Sequence, residues 1–227
     1  MSAGLPDGVV PRTRNEMAAR LAADIPEGWW VNLGIGLPTL VADHVPSERE
    51  VIFQSENGIL GMGPAPAQDA VQPWLVNAGK QPITLRPGGS YFHQADSFTM
   101  IRGGHLDLCV LGAYQVAANG DIANWSTNED TRAPAVGGAM DLAAGARRLW
   151  VLMDHVARGG AKKLVTRCTL PLTATACVAR IYTNLAVLAV EDGGFTVLDT
   201  VPGLTCADLA ALTDAPLNAA EGLSASG

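Results

Sequence analysis

Charge of either sign is scarce in this 227-residue chain: Asp, Glu, Lys and Arg together make up only 16%. A surface so poor in charge points to one largely covered by a partner. Basic residues are the scarcer kind, 15 Lys+Arg against 22 Asp+Glu for a net charge of −7, which makes nucleic-acid binding a poor reading. Cysteine is sparse. Cys109, Cys168, Cys177 and Cys206 form no CxxC pair and no metal-ligand spacing, as expected of reduced thiols in a cytoplasmic protein without a metal site. No run approaches the roughly 20 apolar residues of a membrane-spanning helix. Met1 to Pro11 lacks the basic start and apolar core of a secretory signal. Without export, the sequon Asn124-Trp125-Ser126 is a coincidence.

Apolar residues are plentiful at 48%, and 25 glycines with 14 prolines announce many tight turns without reaching a disordered composition. Thr13 and Glu16 have capping-box spacing, and Met17, Leu21 and Ile25 share one helical face, predicting a helix over Arg14 to Asp24. Trp29 to Leu33 reads as a buried strand broken by Gly34-Ile35-Gly36, and Leu37 to His44 as a helix with Pro38 in its first turn. Val51 to Gln54 is a second strand. Strand, glycine break, helix and strand again is the rhythm of a parallel sheet with crossover helices.

Later strand candidates are Ile83–Leu85, Leu106–Leu111, Leu149–Met153, Val178–Tyr182, Leu185–Val190 and Thr196–Leu198. The last three are spaced to pair antiparallel through turns at Thr183-Asn184 and Asp192-Gly193-Gly194. The expectation is one α/β domain over residues 1–217, with a single open, mainly parallel sheet, flanking helices and some antiparallel strands near the C-terminus. Residues 218–227, rich in Ala, Ser and Gly, read as a frayed tail.

Four glycine-rich segments could bring backbone close to a ligand: Gly34-Ile35-Gly36, Gly58 to Gly63, Gly103-Gly104 and Gly137-Gly138. None completes a dinucleotide fingerprint, because Thr39 stands where a third glycine belongs, and no Walker loop is present. Glu56 is the most informative residue. It follows an apolar strand directly, in Phe53-Gln54-Ser55-Glu56-Asn57-Gly58-Ile59-Leu60-Gly61, where ligands of open α/β sheets bind. Spacing alone leaves it a solvated turn residue, a general base, a metal ligand or a nucleophile. His44, His93, His105 and His155 show no ligand spacing with it. A serine hydrolase built on Ser55 or Ser90 lacks a Gly-x-Ser-x-Gly elbow.

That nine-residue string resembles the active-site signature of the β subunit of family I CoA-transferases, the 3-oxoacid group. Further blocks are similar and in family order: Val31 to Gly36, Asn77-Ala78-Gly79-Lys80, Met100 to His105, Asp121 to Trp125, Gly137 to Asp141 and Cys168 to Thr173. The resemblance covers about Arg12 to Thr205. Thr131 to Val136 departs from the acetoacetate-using members. Pro134-Ala135-Val136-Gly137-Gly138-Ala139-Met140-Asp141 is instead similar to the 3-oxoadipate branch, as are His93 to Phe98 and Val178 to Thr183.

The resemblance implies a CoA-transferase-like fold and ping-pong transfer of CoA from succinyl-CoA to a 3-oxoacid, with Glu56 as the covalent carrier. It implies an oxyanion- and CoA-binding role for Gly137 and Gly138, and substrate contacts for Asn32 and Lys80. Arg86 and Arg102 are candidates to offset substrate charge, and Tyr91 and His93 to line the pocket. It implies no cofactor, the CoA thioester being a substrate, and obligate pairing with an α subunit as an α2β2 heterotetramer. The alternatives are an acetoacetate or short-chain fatty acid CoA-transferase, and a non-catalytic CoA-ester-binding subunit.

Overall fold

The structure, a computed structural model, describes residues 5–128 and 135–220. Its first helix, α1 (Arg14–Asp24), begins as its capping box requires: Thr13 Oγ1 accepts from the Glu16 N–H, and the Glu16 carboxylate accepts from the Thr13 N–H at 2.7 Å. Met17, Ala18, Leu21 and Ala22 are its buried face. Leu37–His44 is helical as expected but wound as a 3₁₀ helix, with Pro38 in its first turn and no side-chain cap.

The strands in chain order are β1 (Trp30–Leu33), β2 (Ile52–Ser55), β3 (Ile59–Met62), β4 (Leu85–Tyr91), β5 (Leu108–Leu111), β6 (Gln115–Ala117) and β7 (Ile122–Ala123). They continue as β8 (Leu149–Leu152), β9 (Leu164–Val165), β10 (Val178–Tyr182), β11 (Ala186–Glu191), β12 (Gly194–Thr200) and β13 (Leu217–Ala219). Three more helices are α2 (Gln94–Arg102), α3 (Ala139–Gly145) and α4 (Cys206–Ala211).

Ten strands form one sheet in the order β13-β12-β11-β10-β8-β5-β1-β2-β3-β4, and β7-β6-β9 form a small second sheet. The middle of the large sheet, β10-β8-β5-β1-β2, is parallel throughout. Buried on both faces, its strands β5 and β8 read as continuous apolar runs. Within them the two faces alternate: Cys109, Leu111, Leu149 and Val151 join one core, Leu108, Val110, Trp150 and Leu152 the other. The second core is closed by Met17 and Leu21 of α1 and by Val41 of the 3₁₀ helix. The first is closed by Ile101 of α2, Leu142 of α3 and the C-terminal Phe195 and Val197.

Two expectations change. The chain leaves β2 by a tight turn, with Gly58 N bonded to Ser55 O at 3.0 Å and Gly58 at φ +109°, so β2, β3 and β4 pair antiparallel. Antiparallel strands therefore flank the parallel centre on both sides, beyond the C-terminal hairpins through residues 183–185 and 192–193. The domain also runs past residue 217: Asn218 and Ala219 pair with Thr196 and Val197. The remainder of the expected tail, 221–227, lies outside the described residues, as does Thr131 to Pro134 of the branch-specific segment.

Strand order decides where a ligand can sit. From β1 the chain moves to β2 on one side, and from β5 to β8 on the other, so the two connections part between neighbouring strands. Such a divergence leaves a crevice at the carboxyl ends of β1 and β5.

Candidate active site

Glu56 is the first residue after β2 and is half-buried at the rim of that crevice. Its strand is anchored below it, with Phe53, Gln54 and Ser55 all buried. The turn that carries it is pinned on its far side. The Gly58 carbonyl accepts from the Phe92 N–H at 3.0 Å, and a Cβ on Gly58 would collide with the Phe92 carbonyl oxygen. Only glycine fits there, both for space and for its positive φ.

Gly138 stands against the carboxylate. A Cβ placed on it would lie 2.8 Å from Glu56 Oε2 and 2.8 Å from Phe98 Cζ. Gly137, at φ +56°, turns the chain into α3, where Gly138 is the N-cap. Among the described residues no hydrogen-bond partner reaches the Gly138 N–H or the Glu56 carboxylate.

Two concavities meet at this point, sharing Glu56, Gly137 and Gly138. The first, ≈ 560 Å³, follows the strand ends: Gly34 and Ile35 after β1, Gly112 to Tyr114 after β5, then Trp125, Ala135 and Val136. Among the described residues Glu56 is its only carboxylate and it has no basic side chain. The second, ≈ 630 Å³, is walled by α2 and α3 and carries His93, Phe98, Arg102 and Asp141.

Burial is the main cause that raises the pKa of Glu56 above the ordinary carboxylate value, with the Asp141 charge adding to it. Folding disfavours the ionised form, so the carboxylate is poorly solvated. A poorly solvated anion is the more reactive nucleophile or base.

The other expected residues are placed differently. Asn32 is buried at 2% exposure beneath the site, not on a cleft wall. Its Nδ2 donates to Gln54 Oε1 at 2.6 Å, Gln54 Nε2 donates to Ser97 Oγ at 2.6 Å, and Asn32 Oδ1 faces the Cys109 thiol at 3.9 Å. Burial pushes that thiol's pKa up, so it stays protonated. Lys80 lies in the turn Asn77–Lys80, whose Ala78 N–H donates to Ser55 Oγ at 3.0 Å and whose Ala78 lines the first cleft. Lys80 itself is exposed, lines neither cleft, and holds a left-handed φ of +61°.

Of the charge-offset candidates, Arg102 lines the second cleft and Arg86 lines neither. His93 lines the second cleft and Tyr91 is exposed beyond it. Among the described residues no histidine bonds to Ser55 or Ser90, so no serine–histidine pair is assembled. Helix α2 itself escaped sequence reasoning, although His93 and Arg102 at its two ends were candidates. Its one available signal was the N-cap His93, whose Nδ1 accepts from the Ala95 N–H at 3.1 Å.

A family model described as coenzyme A transferase matches residues 14–211. The chain is 56% identical to the B subunit of the 3-oxoadipate CoA-transferase of Pseudomonas putida, over 90% of this chain and 96% of that protein. It is 44% identical to the B subunit of the succinyl-CoA:3-ketoacid coenzyme A transferase of Helicobacter pylori, over 89% and 97%. Among solved structures, an acyl-CoA transferase apoenzyme from Escherichia coli O157:H7 superposes with a TM-score of 0.72 at 17% identity. That match spans 97% of this chain but only 44% of the solved one, and it speaks for the fold alone.

Proposed function

The chain belongs to the coenzyme A transferase family, and from that premise we propose that it is the β subunit of an enzyme moving CoA from succinyl-CoA to 3-oxoadipate, with Glu56 as the covalent carrier. The observation that carries this reading is the desolvated Glu56 carboxylate, without a hydrogen-bond partner among the described residues, lying against the Gly138 backbone where two clefts meet.

In the first step a Glu56 carboxylate oxygen attacks the thioester carbonyl of succinyl-CoA, the carbonyl π pair moves to oxygen, and the collapsing adduct expels CoA thiolate. An acyl–glutamyl anhydride remains. The thiolate then attacks the glutamyl carbonyl carbon and expels succinate, leaving a glutamyl–CoA thioester. The acceptor carboxylate attacks that thioester and the steps run in reverse. No proton is gained or lost overall. Each addition builds an oxyanion, and the Gly138 N–H beside Glu56 is the donor this reading assigns to it, with Gly137 shaping the turn that presents it. An anhydride and a thioester have similar acylating power, so neither intermediate is a trap; a serine ester would be one.

The apolar, glycine-lined first cleft suits the pantetheine arm and excludes water from the thioester. The carrier is the protein's own carboxylate, so the reading needs no cofactor. In it, Asn32 and Lys80 reach substrate only by moving: Asn32 must release Gln54, and Lys80 must turn inward from its loop. The preference for 3-oxoadipate rests on the higher identity to the relative of that name. Both relatives are named as B subunits, and a solved chain of the same fold is more than twice as long as the matched region. These two facts support a separate α subunit, and the reading joins the two in an α2β2 assembly within the cytoplasm.

The test is intact-mass spectrometry of the complex co-expressed with its α-type partner after incubation with succinyl-CoA. This chain should gain one CoA less one water, and Glu56→Ala should show neither adduct nor turnover. Turnover unchanged in Glu56→Ala would overturn the assignment. Acceptors run side by side, 3-oxoadipate, acetoacetate and acetate, decide the substrate.

A further inference from the structure

The two clefts at Glu56 differ in chemistry. Among the described residues the strand-end cleft has Tyr114, Asn124 and Trp125 as its polar side chains beside Glu56 and no cation, whereas the α2–α3 cleft gathers Arg102, Asp141 and His93. We propose that the α2–α3 cleft holds the second carboxylate of a dicarboxylic acid, and that Arg102 and His93 are its specificity-determining contacts. This rests on the transferase reading above, in which both succinate and the acceptor carry a carboxylate remote from the reacting one.

Arg102 is prearranged for the task. Its Nε and Nη2 donate to Asp141 at 2.7 and 3.2 Å, and its guanidinium carbon lies 5.7 Å from the Phe98 ring centroid. The pair fixes the plane of the fork, and both Nη1 N–H groups have no partner among the described residues. An arginine held along one edge presents the rest of its fork to a carboxylate with little rotamer entropy left to lose. Asp141 would otherwise repel an anion, and the ion pair offsets part of its charge.

His93 supplies a second donor. Its Nδ1 accepts from the Ala95 N–H, which puts the ring proton on Nε2, the nitrogen that points away from its own helix cap. No other basic side chain lines this cleft among the described residues. A monocarboxylic acid reacts at Glu56 without reaching these groups, while a dicarboxylic acid spans from one to the other.

The experiment uses the assembled complex with acetoacetyl-CoA as donor, comparing succinate with butyrate as acceptors. For Arg102→Gln the ratio of kcat/KM for succinate to that for butyrate should fall at least about tenfold, the loss of a charged hydrogen bond. Arg102→Lys should recover part of it. His93→Asn keeps an N-cap residue on α2 and should lower the same ratio several-fold, so it decides the matter if Arg102→Gln fails to assemble. Equal losses for both acids would overturn the proposal by making this wall structural. A raised KM for acetoacetyl-CoA with the acid ratio unmoved would overturn it by giving the cleft to CoA. Failure of the transferase reading itself looks different, because the unmutated complex would then form no glutamyl–CoA adduct.

Discussion

Two polar clusters contrast in this molecule, one sealed in around His155 and one at the cleft rim around Glu56. His155 is fully buried, with Nδ1 3.1 Å from Thr183 Oγ1 and Nε2 3.1 Å from Thr213 Oγ1. Thr183 Oγ1 also accepts from the Leu185 and Ala186 N–H groups, and Thr213 Oγ1 donates to Leu209 O. A neutral ring satisfies that arrangement, giving its proton to Thr213 and taking that of Thr183, whose alternative acceptor, the Ala186 carbonyl, keeps the Thr183 N–H at 2.8 Å. At Glu56 the carboxylate has no such partner among the described residues, although Asn32, Gln54 and Ser97 just beneath it are bonded in a chain. Burial opposes charge at both places: it pushes the His155 pKa down to about 4 and raises that of Glu56. What differs is completion. The satisfied cluster ties the segment after β8, the β10–β11 turn and the segment after α4 together, and the unsatisfied one leaves a reactive group waiting for a substrate.

That contrast can be broken from either side. The largest effect is expected from Gly138→Ala, whose methyl must displace Glu56 or Phe98. Turnover should fall about 100-fold or more, in the range for a lost oxyanion donor, with little loss of stability. Full activity would mean that the Gly138 backbone is not where the developing charge goes. His155→Ala should do the reverse. Two hydrogen bonds and a filled site are lost, costing about 2 kcal/mol or more in urea unfolding, with turnover of the folded complex retained.

The smallest effects are titrations. Removing a negative neighbour in Asp141→Asn should lower the Glu56 pKa and move the acid limb of kcat/KM to lower pH, by about one unit or less. A limb that stays put would remove Asp141 from the control of Glu56. For His155, the unfolded chain binds a proton near pH 6.5 that the folded chain refuses until about 4. Stability should therefore fall as pH drops through that window, and His155→Phe should flatten the slope.

How much of this was legible depended on how local the cause was. Helix α1 was readable to the residue because a capping box and an apolar stripe lie within one short segment. The fully buried strands β5 and β8 were readable because a parallel centre demands continuous apolar runs. Strands β3 and β4 were missed: Gly61, Pro87, Gly88 and Gly89 interrupt them, and β4 is an edge with mostly exposed residues. Helix α2 buries only Ser97 and Ile101, too thin a stripe to stand out, so His93 and Arg102 were visible as residues but not as one wall of a cleft. Glu56 was visible as a carboxylate at the end of an apolar strand. Its contact with Gly138 joins distant parts of the chain and could be seen only once folded.

The walls of the two clefts have different exposure to inheritance. The strand-end wall includes bare main chain at Gly34, Gly112, Gly137 and Gly138, and most codon changes elsewhere leave a peptide backbone as it was. The α2–α3 wall is built from side chains, and one base change can remove His93 or Arg102. A lineage carrying this fold can thus change which acid it accepts while handing on the carrier chemistry intact.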